Sequence, residues 1–583
     1  MTTAVPSLPA LLRKRAADRP DAPAFTFVDY AVDPNGFSET LTWSMVLQRA
    51  VNLADELRQC GSPGDRAAIL APQGLQYIVA YYGAVEAGFA AVPLPVPILG
   101  AHDERVSAAL QDCKPSVILT TSDTVDAIAT YARADGGNAA PTILEVDSLD
   151  LDSPSEIGAS THAPDSIAHL QYTSGSTGQP TGAIITHRNL LTNFDQIADA
   201  FFEDRGGLPP ADMNIAGWIP FYHDMGLMLG IALPLAWNCP AWLTDPVGFL
   251  QRPARWLHQL ADYPNTFSAA PNFAFDLAAR RTSDEDMAGH DLARVMSINN
   301  GSERVSARTI ARFNERFARF NLPATAVRPS YGLAEATLYV AAQKAGEPSH
   351  SVSFLADQLS EGKAARCDAD TPGSSELVAY NLTGTQLVRI VDPDTCTELE
   401  DGSVGELWVQ GDNVGPGYWN DRARTERTFH GYLTNPTPGT PDGPWLRSGD
   451  LTVISDGDLF IVGRIKDLLV VNGRNHYPDD IESTIQEITR GRVAAISVPN
   501  DDTEQLVTIV EFKAPPQSGV EPSEILGAIK RQLTSVVSEN HGLRIFDLVL
   551  VAPGSIPVTT SGKIRRSTCA ERYQHDTFER LDA

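Results

Sequence analysis

Short apolar runs and longer amphipathic stretches take turns along the first third of this chain. The runs "RAAILAP" (Arg66–Pro72) and "SVILTTS" (Ser116–Ser122) have the length of strands, whereas "LQYIVAYYGAVEAG" (Leu75–Gly88) has the length and spacing of a helix. Strands alternating with helices predict an α/β architecture with largely parallel sheets. The run "MGLMLGIALPLAWNCPAWL" (Met225–Leu243) is long enough to cross a bilayer, but it holds Pro234, Asn238 and Pro240 and no Lys or Arg flanks it closely. It is read as a buried helix running into a buried strand, and no transmembrane segment is expected.

Two irregular stretches punctuate this pattern. "EVDSLDLDSPSEIGASTHAPDS" (Glu145–Ser166) is acidic and Ser-rich and reads as a surface connection; "TNPTPGTPDGPW" (Thr434–Trp445) is packed with Pro and Gly. Beyond the second, the pattern shortens to alternating strands and glycine turns, as in "DGDLFIVGRIKDLLVVNGRNHYP" (Asp456–Pro478). The tail sets a helix-like "EILGAIKRQLTSVVSEN" between the strand-like "QLVTIVEF" and "DLVLVAP". A chain of 583 residues is too long for one core. The expected division is a large N-terminal α/β domain over residues 1–464, with mostly parallel sheets and subdomains, and a small C-terminal α+β domain over residues 465–583.

Charge narrows the class of function. Lys plus Arg number 45 against 73 Asp plus Glu, a net charge of −28. Such a surface repels nucleic acid and anionic membranes, so no nucleic-acid partner is expected, and an anionic substrate must be met by locally concentrated cations. The six cysteines (Cys60, Cys113, Cys239, Cys367, Cys396, Cys569) show no CxxC pair or metal spacing. So few thiols in a long chain fit a reducing, cytoplasmic setting. The N-terminus lacks the basic start and unbroken apolar stretch of a secretory signal.

Four stretches rich in glycine or charge carry the candidate chemistry. "YTSGSTGQPTG" (Tyr172–Gly182) can bend tightly and turn hydroxyls and backbone N–H groups toward an anion, as phosphate cradles do. No G-K-[ST] follows, which argues against a P-loop kinase or ATPase, and position 181 is threonine where such cradles usually keep a cation. A polar surface turn is the plain alternative. "SYGLAEAT" (Ser330–Thr337) offers the Tyr331 ring to a purine and the Glu335 carboxylate to Mg²⁺, or else a core ring and a capping acid. In "WLRSGDL" (Trp445–Leu451), Asp450 could accept hydrogen bonds from both hydroxyls of a ribose, or simply close a turn. "GRIKDLLVVNGRNHYPDDIE" (Gly463–Glu482) and "PVTTSGKIRR" (Pro557–Arg566) concentrate the positive charge of the tail in Arg464, Lys466, Arg474, Lys563, Arg565 and Arg566. Such runs are often solvated faces, but Lys563 follows Ser-Gly in a bend that presents one ammonium at a loop tip.

In this order the four stretches resemble the adenylate-forming superfamily of acyl-CoA synthetases, luciferases and adenylation domains, over nearly the whole chain. Within it the chain looks most like the fatty acyl-AMP ligases. "LQYTSGSTG", "FYHDMGL", "FLQRPARWL", "SAAPNFAF", "RPSYGLAEAT" and the two basic stretches support that narrower match. The resemblance implies that Thr173, Ser174, Gly175, Ser176, Thr177 and Gly178 line the phosphates of ATP. It implies that His223 and Asp224 lie beside the acyl-adenylate, with His223 among the catalytic groups, and that Gly301, Ser302 and Glu303 of "NNGSERV" lie beside the adenine. Tyr331 would stack on that ring with Gly332 next to it, Glu335 would bind Mg²⁺, and Asp450 would hold the ribose with Arg464 nearby. Lys466 would mark a hinge between the two domains, and Lys563 would be the catalytic lysine. Met225, Gly226 and the apolar run after them would help wall an acyl tunnel. Many superfamily members carry lysine at the position of Thr181; the acyl-AMP ligases are similar to this chain in lacking it, and the implied charge comes from Mg²⁺ and Lys563.

The implied activity is attack of a fatty carboxylate on the α-phosphorus of ATP, giving acyl-adenylate and pyrophosphate. The acyl group would then pass to the phosphopantetheine thiol of an acyl carrier protein or polyketide synthase, in the synthesis of complex lipids. Val470 and Asn472 stand where CoA-using relatives often carry lysine. "GEPSHSVSFLADQLSEGKAARC" (Gly346–Cys367) falls where the acyl-AMP ligases have an insertion that would prop the domains apart from the CoA-competent arrangement; an ordinary loop and strand is the alternative. A fatty acyl-CoA synthetase is the nearest competing reading. A non-catalytic nucleotide- or acyl-binding relic is the other, opposed by the presence of Glu335, Asp450, Arg464, Lys466 and Lys563 in their motifs.

Overall fold

The computed structural model describes residues 6–97, 103–132, 140–158, 162–173, 180–382, 386–471, 474–500, 503–513, 522–559 and 563–581. The short apolar runs form strands Arg66–Ile69 and Val117–Thr120, and the stretch between them forms a helix, Leu75–Glu86. These strands are the middle of a six-stranded sheet, ordered Thr142–Glu145, Val117–Thr120, Arg66–Ile69, Ala90–Pro93, Ile167–Thr173, Thr181–Thr186. Every neighbouring pair is parallel except the last. Strands covered on both faces have no need of polar alternation, which is why they read as continuous apolar runs.

An eight-stranded sheet lies alongside, in the order Tyr339–Ala342, Val327–Gly332, Val295–Gly301, Thr266–Pro271, Asn214–Gly217, Ala241–Leu243, Pro23–Asp29, Phe37–Thr42. It is parallel inside and antiparallel at both edges. One apolar cluster, with Trp43, Tyr77, Phe194, Phe221 and Trp256 among its large buried rings, joins these two sheets through the helices between them.

The Met225–Leu243 run is a buried helix leading into a buried strand. Its helical part spans Asp224–Leu227, a π-turn at Met228–Ala232, and Leu233–Trp237; Asn238 ends it in the left-handed region before strand Ala241–Leu243. Pro234 lies just after the π-turn, where the helical hydrogen-bond register changes. Among the described residues no helix is long and apolar enough to cross a membrane.

A third, seven-stranded sheet is antiparallel throughout. It takes strands Arg366–Cys367, Ser351–Leu355, Ser374–Tyr380, Asp458–Arg464, Leu446–Ser455, Gly405–Gln410 and Leu387–Val391, in that order. The sequence reading does not separate this sheet, because its strands mix buried and half-exposed positions and pair with partners far along the chain.

Residues from Leu469 onward build a ribbon, Leu469–Val471 with Arg474–His476, and a three-stranded sheet of Val493–Asn500, Thr503–Glu511 and Ile545–Val551. Helices Pro478–Thr489, Pro522–His541 and Arg566–Gln574 cover that sheet. Alternation along the first strand feeds two cores: Val493 and Ala495 pack with Ile481, Ile485 and Leu533, whereas Ala494, Ile496 and Val498 pack with Val549 and Cys569. The Gly346–Cys367 segment supplies strand Ser351–Leu355, the short helix Ala356–Ser360 and the edge strand Arg366–Cys367. It docks against the C-terminal part: Tyr477 Oη donates to the Leu359 carbonyl at 3.2 Å and Asn475 Nδ2 to that of Ser360 at 3.4 Å. Phe354, Leu359 and Tyr477 share one apolar cluster.

Candidate active site

Strands Ile167–Thr173, Val295–Gly301 and Val327–Gly332 all end at a cavity of about 890 Å³. The carboxyl ends of parallel strands are where such sheets bind ligands, because the loops diverge there. Gly301 and Gly332 form part of its wall. A Cβ on Gly301 would come within 2.7 Å of the Ser330 carbonyl oxygen, and one on Gly332 would collide with that of Leu338, so both are small because backbone passes close by.

The polar limb is a network of charge-assisted hydrogen bonds. Tyr331 Oη donates to Asp450 Oδ2 at 2.6 Å, and Arg464 Nε reaches Asp450 Oδ1 at 2.9 Å across an antiparallel pair. Asp450 is 5% exposed. The turn before it is fixed by Glu406, which accepts from the Gly449 N–H and from Arg447 Nε, both at 3.0 Å. The Asp450 carboxylate holds the Arg464 guanidinium further above its ordinary range. Burial, and then Asp450, push the Tyr331 phenol well up.

His223 and Asp224 open the helix that walls the other side. The Met225 N–H donates to Asp224 Oδ1 at 2.7 Å and to His223 Nδ1 at 3.2 Å, while His223 Nε2 meets Ser302 Oγ at 3.2 Å. Burial alone would raise the Asp224 carboxyl, but His223 and Lys563 outweigh it and hold the group below its ordinary value. Glu303 is not on the cavity wall. Its Oε1 accepts the Phe273 N–H at 2.6 Å, and burial raises its pKa.

Glu335 faces the cavity and accepts from Tyr418 Oη at 2.6 Å. Two residues on, Thr337 holds φ at 71°, a strained setting for a β-branched residue, fixed by its Oγ1 donating to the Asn413 carbonyl at 2.7 Å. Among the described residues no group of three or more His, Cys, Asp or Glu could hold a metal by itself.

Lys563 reaches the cavity from the C-terminal part on a hairpin. The Thr559 N–H donates to the Lys563 carbonyl at 2.7 Å, the Lys563 N–H to Thr559 Oγ1 at 3.0 Å, and the Arg565 N–H to the Pro557 carbonyl at 2.9 Å. Arg566 ties the hairpin's base to Glu482, Asp479 and Asp467. Desolvation, and then Arg464, lower the Lys563 pKa, while Asp224, Asp450 and Glu303 pull it back up. Lys466 is lowered by the same two causes. Arg304 pairs with Asp480 at 2.6 Å, and Arg308 pairs with Glu487, so the two parts of the chain are clasped around the site.

The cavity continues into an apolar limb. Ile197 and Phe201 come from one helix face, Met225, Leu229 and Leu233 from another, and Phe267, Leu338 and Tyr339 from the eight-stranded sheet and its approach. The i, i+4 spacing in both helices puts these side chains on one side. Phe201 closes on Phe267 and Tyr339, with ring centroids 5.3 and 6.2 Å away, and the buried Arg328 guanidinium lies 4.1 Å from its centroid. Gly226, expected to help wall the tunnel, does not reach it. A Cβ there would collide with the Pro220 carbonyl, so its task is close packing.

Thr173, His223, Asp224, Gly301, Ser302, Tyr331, Gly332, Glu335, Asp450, Arg464, Lys466 and Lys563 thus meet at one cavity. Glu303 stands behind it, and Ser174, Gly175, Ser176, Thr177, Gly178 and Asn472 lie outside the described residues. Val470 is 42% exposed. Sequence reasoning missed Tyr418, which orients Glu335, and Glu406, which fixes the Asp450 turn. It also missed Arg424, Arg427 and Thr428, which line the cavity from helix Arg422–Phe429. Arginines three apart in "NDRARTERTF" are the signal that could have found the last group.

The AMP-binding enzyme family matches residues 12–419, and the AMP domain of the Disco-interacting protein 2-like family matches residues 466–582. The long-chain-fatty-acid–AMP ligase FadD28 of Mycobacterium tuberculosis is 55% identical over 580 residues, covering 99% of this chain and 100% of that protein. The 4-hydroxyphenylalkanoate adenylyltransferase of Mycobacterium marinum is also 55% identical, over 99% of this chain and 92% of its own. The crystal structure of the fatty acyl-adenylate ligase from L. pneumophila in complex with acyl adenylate and pyrophosphate superposes with a TM-score of 0.72 at 31% identity. It covers 99% of this chain and 97% of that one.

Proposed function

The chain belongs to the AMP-binding enzyme family, and from that premise we propose how its cavity works and where its product goes. It is a fatty acid–AMP ligase, joining a fatty acid to the AMP of ATP. The observation that carries the mechanism is the meeting of Lys563, the Tyr331–Asp450–Arg464 network and an apolar limb in a single cavity.

The adenine lies against Tyr331 and the ribose hydroxyls donate to Asp450, whose oxygens keep lone pairs beyond those used by Tyr331 and Arg464. The fatty chain fills the apolar limb, bringing its carboxylate to the His223–Lys563 junction. One carboxylate oxygen attacks the α-phosphorus in line. The new O–P bond forms as the bond to the bridging oxygen breaks, and pyrophosphate leaves with the electron pair. Two anions must approach, so positioning and charge stabilisation carry the rate. Lys563 supplies an ammonium between the carboxylate and the α-phosphate. Glu335 fits Mg²⁺, because Tyr418 holds one of its hard oxygens in place and no all-protein cage is needed by an ion that completes its shell with phosphate oxygens and water. When bound, Mg²⁺ offsets the charge on the leaving pyrophosphate.

Residues 1–464 and 465–583 are read as two bodies hinged at Lys466. The acceptor is read as the phosphopantetheine thiol of an acyl carrier protein or polyketide synthase, in the cytoplasm. The thiol loses its proton to solvent, its sulfur bonds to the acyl carbonyl carbon, and the C–O bond to the phosphate breaks, so that AMP leaves with the electron pair. Two features support a carrier rather than CoA. Val470 offers an exposed apolar surface where a cation would suit the CoA phosphates, and the Gly346–Cys367 segment braces Tyr477 and Asn475, holding the Lys563-bearing part against the site.

The test is incubation of the protein with ATP, Mg²⁺ and an acid panel that includes long-chain fatty acids and a 4-hydroxyphenylalkanoate, with CoA, a pantetheinylated carrier or neither, and identification of products by mass. Acyl-AMP without acyl-CoA, discharged onto the carrier, is expected. Efficient acyl-CoA formation would overturn the acceptor. A preference for the arylalkanoate would overturn the plain fatty chain, and no adenylate with any acid would overturn the mechanism.

A further inference from the structure

The stretch Tyr172–Gly182 contains no Lys or Arg, although loops that cradle phosphates depend on cations as well as backbone N–H groups. The strands that enter and leave it pair Thr173 with Thr181, so both of its ends sit at the cavity's edge. There a cation does arrive, from 243 residues further along the chain. Arg424 Nη1 donates to Thr181 Oγ1 at 2.5 Å, and its guanidinium lies 4.9 Å from the centroid of the Tyr418 ring, the tyrosine that holds Glu335.

Four features fit this arginine to a ligand. Its helix, Arg422–Phe429, is fixed at its start by Asp421, whose side chain accepts the Arg424 N–H, so the side chain leaves a defined backbone. Arg424, Arg427 and Thr428 lie on one helical face and all three line the cavity. Among the described residues no carboxylate lies within ion-pair distance of Arg424, so its remaining N–H groups are not committed to a protein anion. Thr181, buried beneath it, is small enough to leave the guanidinium room and orients it through one oxygen.

We propose that Arg424, with Arg427 at the mouth, is the fixed cation that holds the β- and γ-phosphates of ATP and then the departing pyrophosphate, doing from a distant helix what a lysine at position 181 would do from the loop. This rests on the adenylation reading above. It also divides labour between two cations. Lys563 comes with the C-terminal part and acts where the carboxylate meets the α-phosphate, whereas Arg424 belongs to the same body as the cradle and stays with the polyphosphate whatever the C-terminal part does. A planar guanidinium suits that task, since its fork can bind two phosphate oxygens at once.

The test uses R424A, R424K and the double variant R424A/T181K, with acyl-AMP formation, the reverse reaction of acyl-AMP with pyrophosphate, and acyl-AMP binding measured for each. A charge-assisted contact of about 1.5–3 kcal/mol corresponds to roughly a ten- to hundredfold effect. R424A is therefore expected to raise the KM for ATP and for pyrophosphate by about that factor, with acyl-AMP binding unchanged because that ligand lacks both outer phosphates. R424K should recover part of the loss, and adding T181K to R424A should restore pyrophosphate affinity. An unchanged pyrophosphate KM in R424A, or an equal loss of acyl-AMP affinity, would overturn the inference while leaving the ligase reading intact. Wild-type protein that forms no acyl-AMP would overturn both.

Discussion

The two limbs of the cavity are built on opposite plans. In the polar limb each wall comes from a continuous stretch of sequence, and nearly every group is fixed by a directional bond: Tyr331 and Arg464 on Asp450, Tyr418 on Glu335, Ser302 on His223. In the apolar limb single residues arrive from several elements and meet through ring and aliphatic contacts, as Phe201 meets Phe267 and Tyr339. Directional networks respond sharply to the loss of one atom, because a partner is left unsatisfied. Apolar walls respond in proportion to the volume changed. Changes to the first limb should therefore alter whether the enzyme works, and changes to the second should alter what it works on.

Lys563→Ala is the strongest test of that contrast. Removing one preorganised group from a developing charge typically costs about 2.7–4 kcal/mol, roughly a hundred- to a thousandfold in rate. Pyrophosphate release should fall by at least that much with every acid, and the ranking of acids should not change. Asp450→Asn should follow with a smaller loss. It keeps the shape but removes the charge that pairs with Arg464 and that we propose holds the ribose, so the KM for ATP should rise by about ten- to a hundredfold while the KM for the fatty acid holds. A variant at either position that reorders the acids would mean the limbs are coupled and the division is wrong.

The same contrast explains what could be read from the sequence. The strands Arg66–Ile69 and Val117–Thr120 and the helix Pro522–His541 follow from their own periodicity, and the polar limb follows from four motifs, because its chemistry is concentrated in contiguous residues. The apolar limb is diffuse. Ile197, Leu233 and Phe267 carry no mark distinguishing them from core residues, and Gly226, inside the "FYHDMGL" motif, serves packing. Arg424 escaped for a different reason. The arginines three apart in "NDRARTERTF" mark a basic helix face, but the partner of Arg424, Thr181, is 243 positions away and nothing local names that partner. The antiparallel seven-stranded sheet was hidden in the same way, its pairings spanning residues 351–464.

The apolar limb should yield graded changes of preference. Phe201→Ala removes a ring from its wall and should favour longer chains, whereas Leu233→Trp adds one and should favour shorter ones. One methylene in an apolar pocket is worth about 1–3 kcal/mol, so the ratio of kcat/KM between neighbouring even chain lengths should move by about tenfold or more. The rate with the newly preferred acid should stay near the wild-type rate. Loss of activity with all acids alike would show that Phe201 supports the polar limb rather than the length of the other.

The smallest expected effect is the most selective. Desolvation and the Arg464 charge lower the Lys563 pKa below its ordinary 10.5, and the ammonium form is the one that the proposed mechanism uses. A lowered pKa means the proton is lost at a lower pH, so kcat/KM for ATP should begin to fall on the alkaline side before an ordinary lysine would titrate. Lys466 is lowered by the same causes, so the profile should be repeated with Lys466→Met, which should keep the limb if Lys563 owns it. Of the side chains named above as walling the apolar limb, Tyr339 alone carries an ionisable group; Ile197, Phe201, Met225, Leu229, Leu233, Phe267 and Leu338 carry none. The ratio of kcat/KM for two chain lengths should therefore stay flat while both values fall together. A ratio that drifts with pH would place an ionisable group in contact with the acyl chain, and the separation of the limbs would have to be given up.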